Sequence, residues 1–322
     1  MTRLEIVPFA DEHLDDAAWL LLARHRRHRA AEPLLSARFE DPAVAREELE
    51  QAWRSDDASG AAALRGGRLV GYLVGAPRSN PVLGANTWVE APGHAAEEAE
   101  TVRDLYGAAA ARWVEEGRPR HSVLVPAFDA KLLEAWSRLC FGTQHAHGLR
   151  EVPPETTVSV PAGFEIRAAR ANEVEQLIDL DLALPEHQSR SPVFGGVPLP
   201  SREKSREEWL GTLAGSDEQI LIGSFQERPI ACWGVVPAQR SSAHRGVLLP
   251  DHACHIGFAA TLPEFRGSGI GVALTDAAFS WAAAEGYAAM ITDWRVTNLL
   301  SSRFWPKRGF RLSFLRLYRS IP

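Results

Sequence analysis

The two halves of this sequence resemble each other, and the internal repeat restricts the possible fold more than any other feature. The matches fall at two fixed spacings, 160 positions near the start of each half and 169 positions further along. The matching pairs are residues 4–6 with 164–166, 67–77 with 227–237, 116–117 with 285–286, and 136–141 with 305–310. Because these matches keep their order along the chain, they indicate a duplicated domain.

The boundary between the two copies falls in a proline-rich segment. Residues 152–162 contain Pro153, Pro154 and Pro161 and show no hydrophobic periodicity, as is typical of a linker. A chain of 322 residues also has the length of two ordinary domains. We therefore expect a first domain at 1–151, a linker at 152–162 and a second domain at 163–322.

The second copy begins with strands and continues with alternating strands and helices. Its first helix is predicted at 173–184, where apolar residues recur on one helical face. The other elements are predicted as strands at 163–167, 219–225, 229–236, 255–261 and 288–293, helices at 203–213, 269–285 and 298–307, a loop at 185–201, and a closing strand. This order predicts an α/β (α+β) fold with a mixed, mostly antiparallel sheet covered by helices.

Composition excludes several classes of function. The net charge of -6 and the pI near 6.0 argue against general binding of nucleic acid. No apolar run approaches the roughly 20 residues of a membrane span, and residues 1–8 lack a signal-peptide pattern, so we expect a cytoplasmic protein. The three cysteines have no CxxC spacing and no even count, so neither a structural zinc nor disulfides are expected.

A glycine-rich turn at residues 266–271 is the segment with the clearest chemical character. Glycine lets backbone N–H groups face a ligand without an intervening Cβ, and the helix that follows adds partial positive charge at its N-terminus. Arg266 adds a full charge, so the turn suits a phosphate. It is not a P-loop, because no Gly-Lys-Ser/Thr follows, and not a dinucleotide fingerprint, because it does not open a βαβ unit.

This turn resembles a known family motif. Residues 262–274, LPEFRGSGIGVAL, are similar to the acyl-CoA signature Arg/Gln-x-x-Gly-x-Gly/Ala of the GNAT superfamily of N-acyltransferases. Asn298 with residues 304–310, FWPKRGF, resembles the next motif of that family, in which an Asn opens a helix that ends in an aromatic pair and Gly-Phe. The resemblance is strong over about residues 256–310. It implies two tandem GNAT-like domains, each with helices on both faces of its sheet.

The resemblance also implies a binding site for acetyl-CoA. The backbone around the turn would hold the pyrophosphate, an exposed strand edge would pair with the pantetheine arm, and the second motif would contact that arm. The residues so implicated are Arg266, Gly267, Ser268, Gly269, Ile270 and Gly271 at the turn, Ala259, Ala260 and Thr261 on the strand, and Asn298, Ser301 and Trp305 in the second motif. Trp305 also matches Trp136 of the first copy, which favours a core position for both.

The implied activity is transfer of an acetyl group from acetyl-CoA to a primary amine of a small-molecule or peptide acceptor by direct attack. The alternative is a CoA-binding regulatory or scaffolding protein without turnover. Two loops, 185–201 and 238–254, are expected to govern the acceptor, but their composition does not identify it. We expect no metal, no nucleic acid and no membrane partner, and either a monomer with an internal pseudo-dimer or a homodimer.

Direct attack needs a base for the amine, and the departing thiolate needs a proton. His255 is the candidate base, because imidazole exchanges protons near neutral pH and because several members of the family carry a catalytic glutamate on this strand. A hydrogen-bonded histidine at a strand end is the competing interpretation, and Asp251, His252 and Cys254 are nearby substitutes. The usual acid of the family is a Tyr where this chain has Trp305, and an indole N–H cannot deliver a proton. Tyr318, Asp293 or water remain as alternatives.

The first copy lacks the features of the phosphate turn. Residues 97–102 read EEAETV, with Glu97 at the position of Arg266 and Glu100 at the position of Gly269. Carboxylates would repel a pyrophosphate, and the missing glycines would crowd it. We therefore expect a degenerate, non-catalytic first domain.

Overall fold

The computed structural model describes residues 3–80, 84–196, 198–215, 218–241 and 244–322. Its strands are β1 Leu4–Pro8, β2 Ser59–Arg65, β3 Arg68–Asn80, β4 Gly84–Val89, β5 His94–Ala96, β6 Arg120–Pro126, β7 Gly142–Glu151, β8 Phe164–Ala168, β9 Gln219–Phe225, β10 Arg228–Pro237, β11 Ala253–Thr261, β12 Ala289–Arg295 and β13 Arg311–Ser320. Its α-helices are α1 Leu14–Ala31, α2 Pro42–Trp53, α3 Thr101–Glu115, α4 Ala130–Ser137, α5 Val174–Ser189, α6 Arg202–Ala214, α7 Ile270–Ala284 and α8 Ser301–Lys307.

The chain divides into two compact units. The first unit comprises Met1–His147, Gly246–Leu248 and Leu312–Pro322, and the second comprises Gly148–Arg245 and Leu249–Arg311. The predicted domains at 1–151 and 163–322 differ from this division, chiefly because the C-terminal strand belongs to the first unit. There β13 pairs antiparallel with β6, from Phe314↔Pro126 to Ser320↔Arg120. Side-chain packing determines which strands pair. Because Leu317 of β13 lies in the hydrophobic core of the first unit, this strand belongs there.

The first unit has helices on both faces of its sheet. Strand order is β1-β2-β3-β4-β6-β13, with β5 beside β3, and the β4–β6 pair is parallel. Ala61 and Ala63 of β2 lie in one core cluster with α3 and α4, whereas Ala62 lies in another with α1 and α2. Because successive strand residues point to opposite faces, these clusters lie on opposite sides of the sheet.

The second unit repeats this order of elements. Its strands are ordered β12-β11-β10-β9-β8, with antiparallel pairs except for the parallel β11–β12 pair. Helix α5 packs on β10 and β11, and α7 packs on β9 and β10. The repeat extends to backbone conformation, since Cys140 and Gly309, which match in sequence, both have positive φ, 61° and 81°.

The parallel pair separates partway along β11, which leaves a strand edge of the kind that the family resemblance implied. Pairing with β12 runs from Ala253↔Ala289 to Ile256↔Thr292 and stops there. Pairing with β10 on the other side of β11 continues to Thr261. The stretch from Gly257 to Thr261 therefore has one edge without a strand partner in the described part of the chain.

Most predicted elements of the second copy are present, with one correction in the loop at 185–201. Helix α5 continues through Pro185 and ends at Ser189. Proline restricts the residue before it but does not always end a helix. The predicted helices at 203–213 and 269–285 agree with α6 and α7 to within one residue at each end.

Candidate active site

A cavity of about 420 Å³ lies in the second unit where β11 and β12 separate. Its walls come from β11, β12, α5, α8 and the turn that precedes α7. All twelve residues that the resemblance assigned to acetyl-CoA line it: Ala259, Ala260, Thr261, Arg266, Gly267, Ser268, Gly269, Ile270, Gly271, Asn298, Ser301 and Trp305. The structure thus brings the predicted set together, and its role in binding stays a prediction.

The glycine turn has a backbone conformation that other residues rarely adopt. Gly267 and Gly269 have φ of 82° and 89°, and Gly269 is the N-cap of α7. A Cβ on Gly269 would also lie 3.2 Å from Cγ of Pro161, and one on Gly271 would lie 3.3 Å from the indole of Trp233. At this end of α7 the N–H of Ile270 donates to Oγ of Ser268 at 3.4 Å and that of Val272 to the carbonyl oxygen of Gly269 at 3.0 Å, and the helix N-terminus adds partial positive charge.

Arg266 is anchored beside these donors. Its Nε donates to the carbonyl oxygen of Thr261 at 3.2 Å, which ties the turn to the end of β11. Partial burial lowers the pKa of this guanidinium, and the nearby Glu264 opposes the shift. An arginine remains a cation at neutral pH despite such a shift. The cavity therefore carries a full positive charge next to the first turn of α7.

The second motif forms the opposite wall. Asn298 is 5% exposed, and its Oδ1 accepts from the amides of Leu300 and Ser301 at 3.1 and 3.4 Å, so it caps the start of α8. The same oxygen lies 3.2 Å from Nε2 of His187.

Trp305 is buried and stacks edge-on against Phe310, with ring centroids 5.3 Å apart. The matching pair in the first unit, Trp136 and Phe141, has the same edge-on arrangement at 4.9 Å. Both tryptophans are thus core aromatics, although Trp305 also borders the cavity.

His255 lies on a second cavity of about 340 Å³. It is 7% exposed, its Nε2 has no hydrogen-bond partner among the described residues, and this atom lies 3.7 Å from Oδ1 of Asp293. Asp293 and Gly257 line the first cavity, and Gly257 lines the second as well. The imidazole is therefore placed where the two cavities adjoin.

The substitutes considered for His255 are placed less favourably. Asp251 and His252 are exposed on the turn before β11 and line neither cavity. Cys254 is buried, and burial raises the pKa of its thiol to about 12. Among the alternative acids, Asp293 borders the first cavity, whereas Tyr318 lies on β13 in the first unit, paired with Ser122.

One group of side chains has the composition of a metal site. Donor atoms of His244, His255 and Asp293 lie within 4.8 Å of one another, and the Oγ of Ser241 lies 3.0 Å from Nδ1 of His244. Two imidazoles and a carboxylate are ligands that zinc accepts. The expectation that the protein uses no metal remains a prediction.

Several cavity residues carry no signal in the sequence. Trp233 lines the first cavity, and its indole Nε1 is buried without a hydrogen-bond partner among the described residues. Arg295 lines the same cavity, donates from Nε to Oε1 of Gln188 at 3.3 Å, and has its pKa lowered by burial. These residues come from three distant segments, so only the folded chain brings them together.

The family assignment follows from a comparison with protein-family models. The model described as the acetyltransferase (GNAT) family matches residues 183–310, which include both cavities' principal walls. The chain carries a GNAT domain. Acyl-CoA-dependent acetyl transfer is the general activity of that family, and the glycine turn at 266–271 lies within the matched residues.

Solved structures share the fold along nearly the whole chain. A GCN5-related N-acetyltransferase from Sphaerobacter thermophilus is 12% identical, with a TM-score of 0.59, and the match covers 98% of this chain and 95% of that one. A tandem GNAT protein from the clavulanic acid biosynthesis pathway is 15% identical, with a TM-score of 0.52 and coverage of 99% and 98%. A comparison with curated protein sequences finds no match. At these identities the likeness establishes the tandem GNAT fold alone.

A search for membrane-spanning segments gives a negative result. No helix in the described part of the chain combines the length and the apolar character needed to cross a lipid bilayer.

Proposed function

We propose that the second unit transfers an acetyl group from acetyl-CoA to a primary amine, by direct attack in a ternary complex. The observation that carries this proposal is the pair of adjoining cavities. One is lined by the phosphate turn and the free edge of β11, and the other carries a buried imidazole with an unpartnered nitrogen. Donor and acceptor would enter from separate cavities and meet beside Gly257.

The donor side supplies binding and orientation. The first turn of α7 and Arg266 would bind the pyrophosphate, and the peptide groups from Gly257 to Thr261 would pair with the pantetheine arm as an added strand does. The thioester would then lie at the point where β11 and β12 diverge. Such positioning converts a bimolecular reaction into an effectively unimolecular one.

His255 would act as the base. The amine nitrogen attacks the thioester carbonyl carbon, Nε2 of His255 accepts the proton that the nitrogen loses, and the C–S bond breaks. The carboxylate of Asp293, 3.7 Å from Nε2, would stabilise the imidazolium that forms. The CoA thiolate then leaves and takes a proton from solvent, which a thiol of ordinary pKa near 8.5 allows.

A CoA-binding protein without turnover is the second candidate. Trp305, which is buried in the aromatic core at the position of the usual Tyr, favours it, because the indole cannot protonate the leaving group. Direct attack requires no such acid if the thiolate departs as an anion. Both candidates therefore require binding of CoA, and only the enzyme requires turnover.

Thiol release from acetyl-CoA, measured with a panel of amines, distinguishes them. We expect release that depends on the amine, and stabilisation of the protein by CoA in thermal unfolding. Stabilisation without release for any amine would contradict the enzyme and support the binding module. Lack of both would contradict the assignment of the cavity to CoA.

Arg266→Ala provides a specific test of the donor side. Loss of a charge-assisted hydrogen bond costs about 1.5–3 kcal/mol, so we expect CoA to bind roughly tenfold or more weakly. Binding of a pantetheine derivative without the pyrophosphate should be unchanged. Equal losses for both ligands would mean that Arg266 serves only to hold Thr261.

A further inference from the structure

We propose that the second cavity selects an acceptor with at least two positive charges, a small di- or polyamine in which one nitrogen reacts and another is held by carboxylates. This inference rests on the proposed function, because it assigns the acceptor of the same reaction. The size of the cavity, about 340 Å³, suits a small molecule.

The charge on the cavity wall is the first argument. Asp181 from α5, Glu208 from α6 and Glu218 before β9 line the cavity, and Arg240 is the one guanidinium among the described lining residues. Three carboxylates against one guanidinium give these described residues a net charge of -2. Such a wall attracts organic cations and repels anionic acceptors.

The existing partners of Asp181 and Glu208 leave room for a ligand. Oδ2 of Asp181 accepts from Oγ of Ser205 at 2.6 Å, and Glu208 forms an exposed ion pair with Lys204 at 3.6 Å. A carboxylate has about four acceptor sites, so a single neutral hydroxyl does not saturate Asp181. An exposed ion pair is weak and is readily exchanged for a bound ammonium.

Aromatic side chains supply the contact for the carbon chain of the acceptor. Trp209 and Phe258 line the cavity and pack edge-on against each other with centroids 5.9 Å apart. An aromatic face binds both methylene groups and an adjacent ammonium. This wall therefore fits an alkyl chain that carries charged nitrogens.

His255 fixes the direction of binding. The ring of His255 lines the cavity, and its buried Nε2, which has no hydrogen-bond partner among the described residues, lies 3.7 Å from Oδ1 of Asp293 on the side of the first cavity. A ligand with one nitrogen at His255 extends its remaining nitrogens along the wall that carries the carboxylates. A monoamine would reach His255 but place no second cation on that wall.

The test compares linear diamines with monoamines of equal chain length as acceptors for the full chain. We expect kcat/KM from thiol release to be at least tenfold higher for the diamine, and its KM to rise with ionic strength. Asp181→Asn combined with Glu208→Gln should raise KM for the diamine and leave the monoamine and the KM of acetyl-CoA unchanged. Glu207→Gln, an exposed residue of α6 outside the cavity, is the matched control.

Binding of the diamine to the CoA-loaded protein, measured by calorimetry, separates the two levels of the proposal. Diamine binding that the double variant weakens, without turnover, supports the cavity assignment and contradicts the catalytic function. Turnover with equal kcat/KM for monoamine and diamine, or preference for an anionic acceptor, supports catalysis and overturns this inference. Absence of both binding and turnover with diamines overturns it as well.

Discussion

The two units have the same order of strand, turn and helix, and differ in the residues at the glycine turn of the second unit, 266–271. In the second unit Arg266 and the first turn of α7 line a cavity. In the first unit the corresponding segment carries three glutamates, each paired with an arginine: Glu97 with Arg68, Glu98 with Arg65 and Glu100 with Arg103. The same position in the fold therefore carries a glycine turn with an arginine in one unit and three glutamates in surface ion pairs in the other.

The strand register identifies a second difference between the units. Leu73 of β3 pairs with His94, and Trp233 of β10, which matches Leu73 at the offset of 160, pairs with Ala259. His94 thus stands where the second unit has Ala259, and it is 0% exposed. Its Nε2 lies 2.8 Å from the carbonyl oxygen of Leu124 on β6, so the imidazole bridges the gap that stays open beside β11.

Arg24 closes the same gap further. It is 3% exposed, and its guanidinium donates to the carbonyl oxygens of His94 and Ala91. In the second unit the peptide groups of the equivalent stretch line the cavity and are available to a ligand. In the first unit, buried side chains therefore form hydrogen bonds with the backbone groups of this stretch. In the second unit we assign the equivalent backbone groups to binding of the pantetheine arm. We propose on this basis that the first unit does not bind CoA.

The largest expected effect comes from copying a glutamate of the first unit into the turn of the second. Gly269→Glu places a carboxylate at the N-terminus of α7 and forces a side chain onto a φ of 89°, so we expect CoA affinity to fall at least 100-fold, measured by calorimetry. Ser268→Glu, which adds the charge without the positive φ, should also weaken CoA strongly. Retained affinity in both variants, with unchanged thermal stability, would contradict the phosphate assignment.

The next prediction concerns the imidazole of His255, at the junction of the two cavities. His255→Ala should lower kcat about 100-fold, the usual range for a general base, with little change in the Kd of CoA. The pH–rate profile of the variant should differ from that of the original chain. His252→Ala, at an exposed residue near the same strand, should leave kcat unchanged. A pH–rate profile unaltered by His255→Ala would remove this residue as the base.

A histidine at position 259, as at the equivalent His94 of the first unit, tests whether the space between β11 and β12 holds the pantetheine arm. Ala259→His should fill the space between β11 and β12 as His94 does in the first unit, and weaken CoA by roughly 10- to 100-fold, in line with the cost of an overpacked site. Ala259→Ser, which adds one oxygen, should have a small effect. If the histidine variant binds CoA as tightly as the original chain, the free edge of β11 is not the place of the pantetheine arm.

The sequence predicted local features well and long-range ones poorly. The turn at 266–271 and the bounds of α7 follow from glycine, helix periodicity and a recognised motif, all of which lie within about 30 residues. The position of β13 beside β6, the bridge from His94 to Leu124, and the carboxylates around His255 depend on which segments pack together. A constant offset of 169 aligns Asn86 with His255, but the strand register does not. Trp88 pairs with Ser122 as His255 pairs with Ile291, so the register makes Trp88 the equivalent of His255.

The smallest expected effect concerns Trp233, where the first unit has Leu73. Its buried indole N–H lacks a partner among the described residues and borders the first cavity, so we expect an acceptor atom of bound acetyl-CoA to satisfy it. Trp233→Phe keeps the packing against Gly271 and Phe304 but removes the N–H, and one neutral hydrogen bond corresponds to about 2- to 10-fold in affinity. Trp233→Leu, the residue of the first unit, should add a loss of thermal stability from the cavity it leaves. Unchanged CoA affinity in the Phe variant would mean that the indole contributes only to core packing. The difference in CoA binding between the units would then depend only on the glycine turn and on the space between β11 and β12.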